Sequence, residues 1–310
     1  METYVEKGSI NETRNGFLRA YTKELAHYTA GIIHQIFPDL TPNELSTLGF
    51  AEVVLGAYFG EEGNINFSAK DQVTGFGLQL LGNIKDGLDG PLARIIMAED
   101  PYKHDSFTGQ LVDVSFDKGG EIATAWLRIR TAYLKNNPAG EYAGEGAAMT
   151  ATLPALTRAG AESLGFAVPE NGKNLLEAVG TRFGRIVLGM AATHVPFAFD
   201  YLEESEFGQK HESIAKLSRF ASNASQPAID TLATAANLYT ASARLGILLD
   251  PNSKTILSET QRKEAITRFK VLLGIELISI TGTIAIHELL REIYPRADTL
   301  GKSMFPDLLK

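Results

Sequence analysis

Apolar positions along the chain recur every three to four residues almost throughout, and stretches that alternate apolar with polar are scarce; this predicts an all-α fold. The first such stretch, residues 11–37, puts Phe17, Leu18, Tyr21, Leu25, Tyr28 and Ile32 on one side of an amphipathic helix. Thr41-Pro42-Asn43 breaks it, because proline disfavours helical backbone at the residue before it. Further helices are predicted over about 43–60, 71–97, 107–135, 145–165, 176–200, 226–249 and 264–292. Glycine, proline and asparagine separate them at Gly60–Gly63, Asp100-Pro101, Asn136–Gly140, Pro169–Gly172 and Asp250-Pro251-Asn252. Residues 201–225 are polar and are expected to form a solvated helix or loop. No internal repeat or low-complexity segment interrupts the pattern. The expected organisation is an N-terminal amphipathic helix (1–41), a helical domain (42–250) and a C-terminal helical extension (251–310).

Whether these helices cross a membrane stays open on hydropathy. A spanning helix needs about 20 mostly apolar residues. Ile186–Phe199 is the longest charge-free run, at 14 residues, and Thr231–Ala243 and Leu277–His287 are shorter. Residues 11–37 fit either an interfacial helix on a bilayer or a packed helix of a soluble bundle.

Composition narrows the function classes. The 310 residues are 44% apolar and 21% charged, enough for a sizeable core and unlike a disordered chain. A net charge of −8, with Lys and Arg scattered, argues against nucleic-acid binding. The absence of cysteine removes disulfides, thiolate zinc sites and thiol nucleophiles together. Charges throughout the first thirty residues argue against a cleavable signal peptide. No histidine lies at metal-ligand spacing from another, so the six are read as structural or surface groups.

The informative stretch is Asp86–Asp117. It reads Asp86-x-x-Asp89-Gly90-x-x-Ala93-Arg94, then fourteen residues, then Gly109-x-x-x-Asp113-x-x-x-Asp117. Spacings of three and four put each Asp pair on one helix face. Two antiparallel helices joined by a turn near Asp100-Pro101 would bring the four carboxylates together, and their repulsion would then call for cations. Oxygen donors of this kind suit Mg²⁺ or Mn²⁺ rather than zinc. A lone D-x-x-D is most often a solvated helix face, but eight specified positions over two helices are far more restrictive.

At these residues the chain resembles the CDP-alcohol phosphotransferase family. Pro42-Asn43-Glu44-Leu45-Ser46-Thr47-Leu48-Gly49 is similar to that family's opening of its first membrane helix, and Lys118 fits the basic residue after the last Asp. The resemblance runs from about Pro42 to Arg130 and continues more weakly to about residue 249. It implies a polytopic helical membrane bundle of six core helices, with the N-terminal amphipathic helix and the C-terminal helix added. It also implies a cell-membrane, multi-pass protein with its site facing the cytoplasm, and a homodimer. The implied activity moves a phosphatidyl group from CDP-diacylglycerol or a similar lipid to the hydroxyl of a small polar alcohol, releasing CMP in phospholipid biosynthesis. In that scheme Asp86, Asp89 and Asp113, with a share from Asp117, hold Mg²⁺ or Mn²⁺, and Asp117 is the general base. Gly90, Ala93 and Gly109 floor the nucleotide site, Arg94 pairs with Asp or phosphate, and Asn43 and Thr47 join the nucleotide contacts. Two departures stand out: fourteen residues between Arg94 and Gly109, where the family has eight or nine, and unusual helix charge at Glu52, Glu121, Arg128, Arg130 and Glu276.

A weaker resemblance concerns the acceptor. Pro154-Ala155-Leu156-Thr157-Arg158-Ala159-Gly160-Ala161-Glu162 and Thr181-Arg182-Phe183-Gly184-Arg185 are similar to segments of prokaryotic phosphatidylinositol-phosphate synthases. Arg158, Arg182 and Arg185 would then clamp an acceptor phosphate, with Arg244 beside them, and inositol phosphate becomes the expected acceptor. Positive flanking of membrane helices explains the same arginines equally well. Glycerol 3-phosphate or another alcohol, or a non-catalytic helical homologue, are the alternative expectations.

Overall fold

The computed structural model describes residues 17–99, 106–168, 176, 182–249, 257–293 and 295. Among them the elements are helices, with no β-strand. In chain order they are α1 (Phe17–Ile36), α2 (Pro42–Asn66), α3 (Ala69–Glu99), α4 (Ser106–Leu134) and α5 (Pro138–Thr150). There follow α6 (Leu153–Ser163), α7 (Arg182–Glu204), α8 (Glu206–Lys210), α9 (Glu212–Leu249) and α10 (Glu259–Glu288), which continues into a π-helical turn at Leu289–Ile293.

Local chemistry explains most helix starts. Thr41 caps α2 by accepting from Glu44 N at 3.2 Å while its own N–H donates to Glu44 Oε2 at 2.8 Å, and Pro42 fills the first turn, where a missing N–H costs nothing. Ser258 and Gln261 repeat the device at α10, and Asn137 with Pro138 begins α5. The stretch expected to be one helix over 145–165 is two, α5 and α6, because Pro154 has no N–H for the Thr150 carbonyl. Residues 201–225 are helical nearly throughout, and α9 passes through Pro227 rather than starting beside it. The expected breaks at Asp100-Pro101, Pro169–Gly172 and Asp250–Asn252 lie outside the described residues.

The α2–α3 pairing is the most extensive in the molecule. A Cβ on Gly56 would fall 2.5 Å from Gln79 N and 2.7 Å from Gly75 O, and one on Gly75 would fall 2.5 Å from Gly60 N. These helices therefore touch backbone to backbone, which only small residues permit. Helix α4 lies against α2 and barely meets α3, so α2 forms a wall common to both. Helices α7 and α9 pack together, and α10 runs along α6 with contacts to α4 and α5, so the C-terminal helix is knit into the bundle. Helix α1 joins α3 through Ala26, Ala30 and Ile33 against Leu92, Ile95 and Ile96. Its Leu25, Tyr28 and Ile32, the side expected to be buried in lipid or core, face outward.

Many polar side chains are buried and many large apolar ones are exposed. Buried among alanines lie Glu61, Gln72, Gln79, Lys118, Arg128 and Asp230. Facing out are Val73, Phe76, Leu80 and Ile84 of α3, and Leu273, Leu277, Ile278 and Ile284 of α10. A bundle in water turns its apolar stripe the other way. Among the described residues one helix, Glu259–Ile293, is long and apolar enough to cross a membrane, and only 22% of its most apolar stretch is buried in the protein.

Candidate metal centre

Asp86 and Asp89 stand on the C-terminal half of α3, and Asp113 on the first half of α4. One carboxylate oxygen from each comes within 4.8 Å of the other two. The two helices need little direct contact to achieve this, because α2 holds both. At Gly49 a Cβ would fall 2.8 Å from Gly82 O and 3.3 Å from Asp86 N, so the absence of a side chain lets α2 reach the backbone beside the cluster. The Ser46 hydroxyl, also on α2, lies 2.6 Å from Asp89 Oδ2 and 3.0 Å from the Pro42 carbonyl, which fixes the orientation of that carboxylate. Three hard anionic oxygens converging in a partly buried site match a small divalent cation such as Mg²⁺ or Mn²⁺.

Asp117 is not part of that three-carboxylate group. Its Oδ2 lies 3.9 Å from Arg185 Nη2 and 4.0 Å from Lys118 Nζ. Glu121, one turn further along α4, accepts from Arg185 Nε at 2.8 Å and from Lys118 Nζ at 3.0 Å. Asp86 and Asp117 nevertheless line one cavity of about 90 Å³, bounded by α2, α3, α4, α7 and α9. Its walls change character from end to end. Phe50 and Phe116, stacked at 5.1 Å, flank the aspartates, and Arg128, Asp230 and Asn237 lie opposite.

The other residues expected at the site divide. Gly90 is open: an added Cβ would meet only Arg94 Nη1, at 3.7 Å, leaving room above the helix. Ala93 and Gly109 are half-buried. Arg94 is exposed and shares a shallow depression with Glu24, His27 and Tyr28 of α1, outside the central cavity. Thr47 donates its hydroxyl to the Asn43 carbonyl and opens onto a surface groove beside Ile36 and Phe37. Arg185 reaches the cavity, whereas Arg158 on α6 donates to Glu162, which also accepts from Arg268 of α10. Arg244 bonds the Pro154 carbonyl, and the Arg182 side chain lies outside the described ones.

Sequence reasoning missed Ser46, Gln79, Asp230 and Asn237 as site-facing groups. For Ser46 a signal existed, since it stands inside the Pro42–Gly49 segment one turn beyond Pro42. Of the helix charges singled out as unusual, Arg128 and Glu276 are buried, Glu121 faces the cavity, and Arg130 and Glu52 form ion pairs with Glu62 and Lys85. Comparisons of the chain with protein-family models, with curated proteins and with solved structures found no match.

Proposed function

We propose that the chain is a divalent-cation-dependent transferase working within a membrane, and more narrowly a CDP-alcohol phosphotransferase. The observation that carries this reading is the convergence of Asp86, Asp89 and Asp113, the first of which lines a cavity that also receives Asp117 and Arg185. The outward apolar faces of α3 and α10 are what favours a membrane bundle over a soluble one in this reading. Asp86, Asp89 and Asp113 are the residues that would hold Mg²⁺ or Mn²⁺, and a cation there would supply positive charge to a pyrophosphate. Asp117 takes the proton of the acceptor hydroxyl as that oxygen bonds to phosphorus. CMP leaves with the electron pair of the broken P–O bond. Arg185 and the buried Lys118 set positive charge beside Asp117, where an acceptor phosphate would bind. Inositol phosphate is the acceptor we favour, and glycerol 3-phosphate is the nearest alternative of the same charge class.

The direct test is CMP release from CDP-diacylglycerol by the purified chain in detergent, with inositol phosphate, glycerol 3-phosphate and serine offered in turn. Release should require Mg²⁺ or Mn²⁺, and Asp113→Asn should abolish it while helix content is unchanged. Silence with every acceptor, or full turnover in excess EDTA, would overturn the assignment.

A further inference from the structure

A second group of oxygens lies deeper in the bundle, where α2, α4, α7 and α9 meet, and the proposed reaction makes no use of it. Glu61 and Asn64 of α2, Thr131 of α4 and Thr193 of α7 are each more than nine-tenths buried. Asn64 Nδ2 donates to the Thr193 carbonyl at 2.7 Å and faces Glu61 Oε2 at 3.3 Å, which fixes the amide and aims its Oδ1 elsewhere. Glu61 Oε1, Asn64 Oδ1, Thr131 Oγ1 and Thr193 Oγ1 have no well-formed hydrogen bond, although both hydroxyls lie close enough to the Glu61 carboxylate to interact with it. Glu61, Asn64 and Thr131 line a small space of about 20 Å³, the room of a single water-sized occupant, whose outer wall includes Lys135 and Asn223.

Charge decides what kind of occupant. Arg128 lies near enough to Glu61 to act on it electrostatically; its guanidinium donates to Asp230 through Nη2 at 2.8 Å and Nε at 3.1 Å, and its Nη1 makes no hydrogen bond. With Glu61 ionised, two carboxylates and one guanidinium leave the group at −1. The neighbouring Lys135 and Arg130 do not offset it, being paired with Asp200 and Glu62. A lone water would fit the space and leave the charge; a proton would cancel the charge and leave the space. A divalent ion would overshoot, since three of the four oxygens belong to neutral groups. We propose that this pocket binds one dehydrated monovalent cation, Na⁺ in preference to the larger K⁺, with Glu61 as its single charged ligand.

The experiment is a thermal unfolding series on the purified full chain, with NaCl exchanged for KCl or choline chloride at constant ionic strength. The midpoint should rise with Na⁺ by roughly 2–4 °C for each tenfold increase above the dissociation constant, and less with K⁺. Glu61→Gln should remove the dependence. Thr131→Val, which keeps the shape but removes one oxygen, should shift it to higher Na⁺ concentration. A wild-type midpoint indifferent to cation identity would overturn the proposal and leave a water or a proton as the occupant. A Na⁺ response that survives intact in both variants would overturn it as well.

Discussion

The Arg128–Asp230 pair offers the sharpest test of how the buried charges are held. Both side chains are almost wholly buried, 5% and 1% exposed, and joined by two parallel hydrogen bonds of 3.1 and 2.8 Å. Removing one member of a buried pair strands the other charge, at a cost of about 3–5 kcal/mol, or a fall in midpoint of roughly 6–20 °C. The two single variants should not be equal. Asp230→Asn leaves Arg128 facing Glu61, two opposite charges that can compensate one another. Arg128→Met leaves Asp230 and Glu61 without a cation between them, so the charge of the group moves from −1 to −2 and the cost should reach the upper end of that range. The double variant Arg128→Met with Asp230→Leu restores −1 in a comparable volume, and should lie within about 1 kcal/mol of wild type, since replacing both members of a buried pair is often neutral. Thermal unfolding of the four proteins in one detergent, read as a double-mutant cycle, measures this. A double variant no more stable than the sum of the singles, or singles that each cost under about 1 kcal/mol, would refute the reasoning.

Two further expectations follow from the packing and the site. Gly56→Ala should destabilise, although alanine is the better helix former, because its Cβ would sit against α3 backbone; Gly77→Ala in α3, with nothing within 4 Å, should instead stabilise by about 0.5–1 kcal/mol, and equal shifts of unfolding midpoint would contradict the close α2–α3 contact. Asp117→Asn should keep cation affinity while CMP release fails, because Asp117 stands beside Arg185 and Lys118 rather than within the three-aspartate group; rescue of turnover at high Mg²⁺ would make it a ligand and remove it as the base.

The helical class and the aspartates were legible in the chain because both are local. Period 3.6 and spacings of three and four are properties of one helix, and they correctly put Asp86 with Asp89. That Asp113 meets them is a tertiary fact with a different cause from the expected one: the glycine-lined α2 supplies the contact, not direct packing of α3 on α4. Asp117 shows the limit of spacing. Its position one turn past Asp113 predicts the same face, yet Arg185, from a helix 64 residues beyond Glu121, and the neighbouring Lys118 stand against its carboxylate. Arg128 and Asp230 are 102 residues apart, so nothing local could pair them.

Hydropathy left the exposed faces of the helices illegible for a related reason. In α3, Val73, Phe76, Leu80 and Ile84 point out while Gln72 and Gln79 are buried, and a sliding window adds the two faces and cancels them. The same arithmetic lowers α2, where Glu61 and Asn64 lie within and Leu55 and Tyr58 without. Amphipathicity is visible in such a window's periodicity, but its sign relative to the core is not, because the sign depends on what the neighbouring helices present. Where the interior holds a cavity lined by carboxylates and guanidinium groups, the helices around it turn polar residues inward, and part of their apolar residues is left for the outside. Average hydropathy therefore cannot report which face of each helix is exposed, whereas the burial of single residues does.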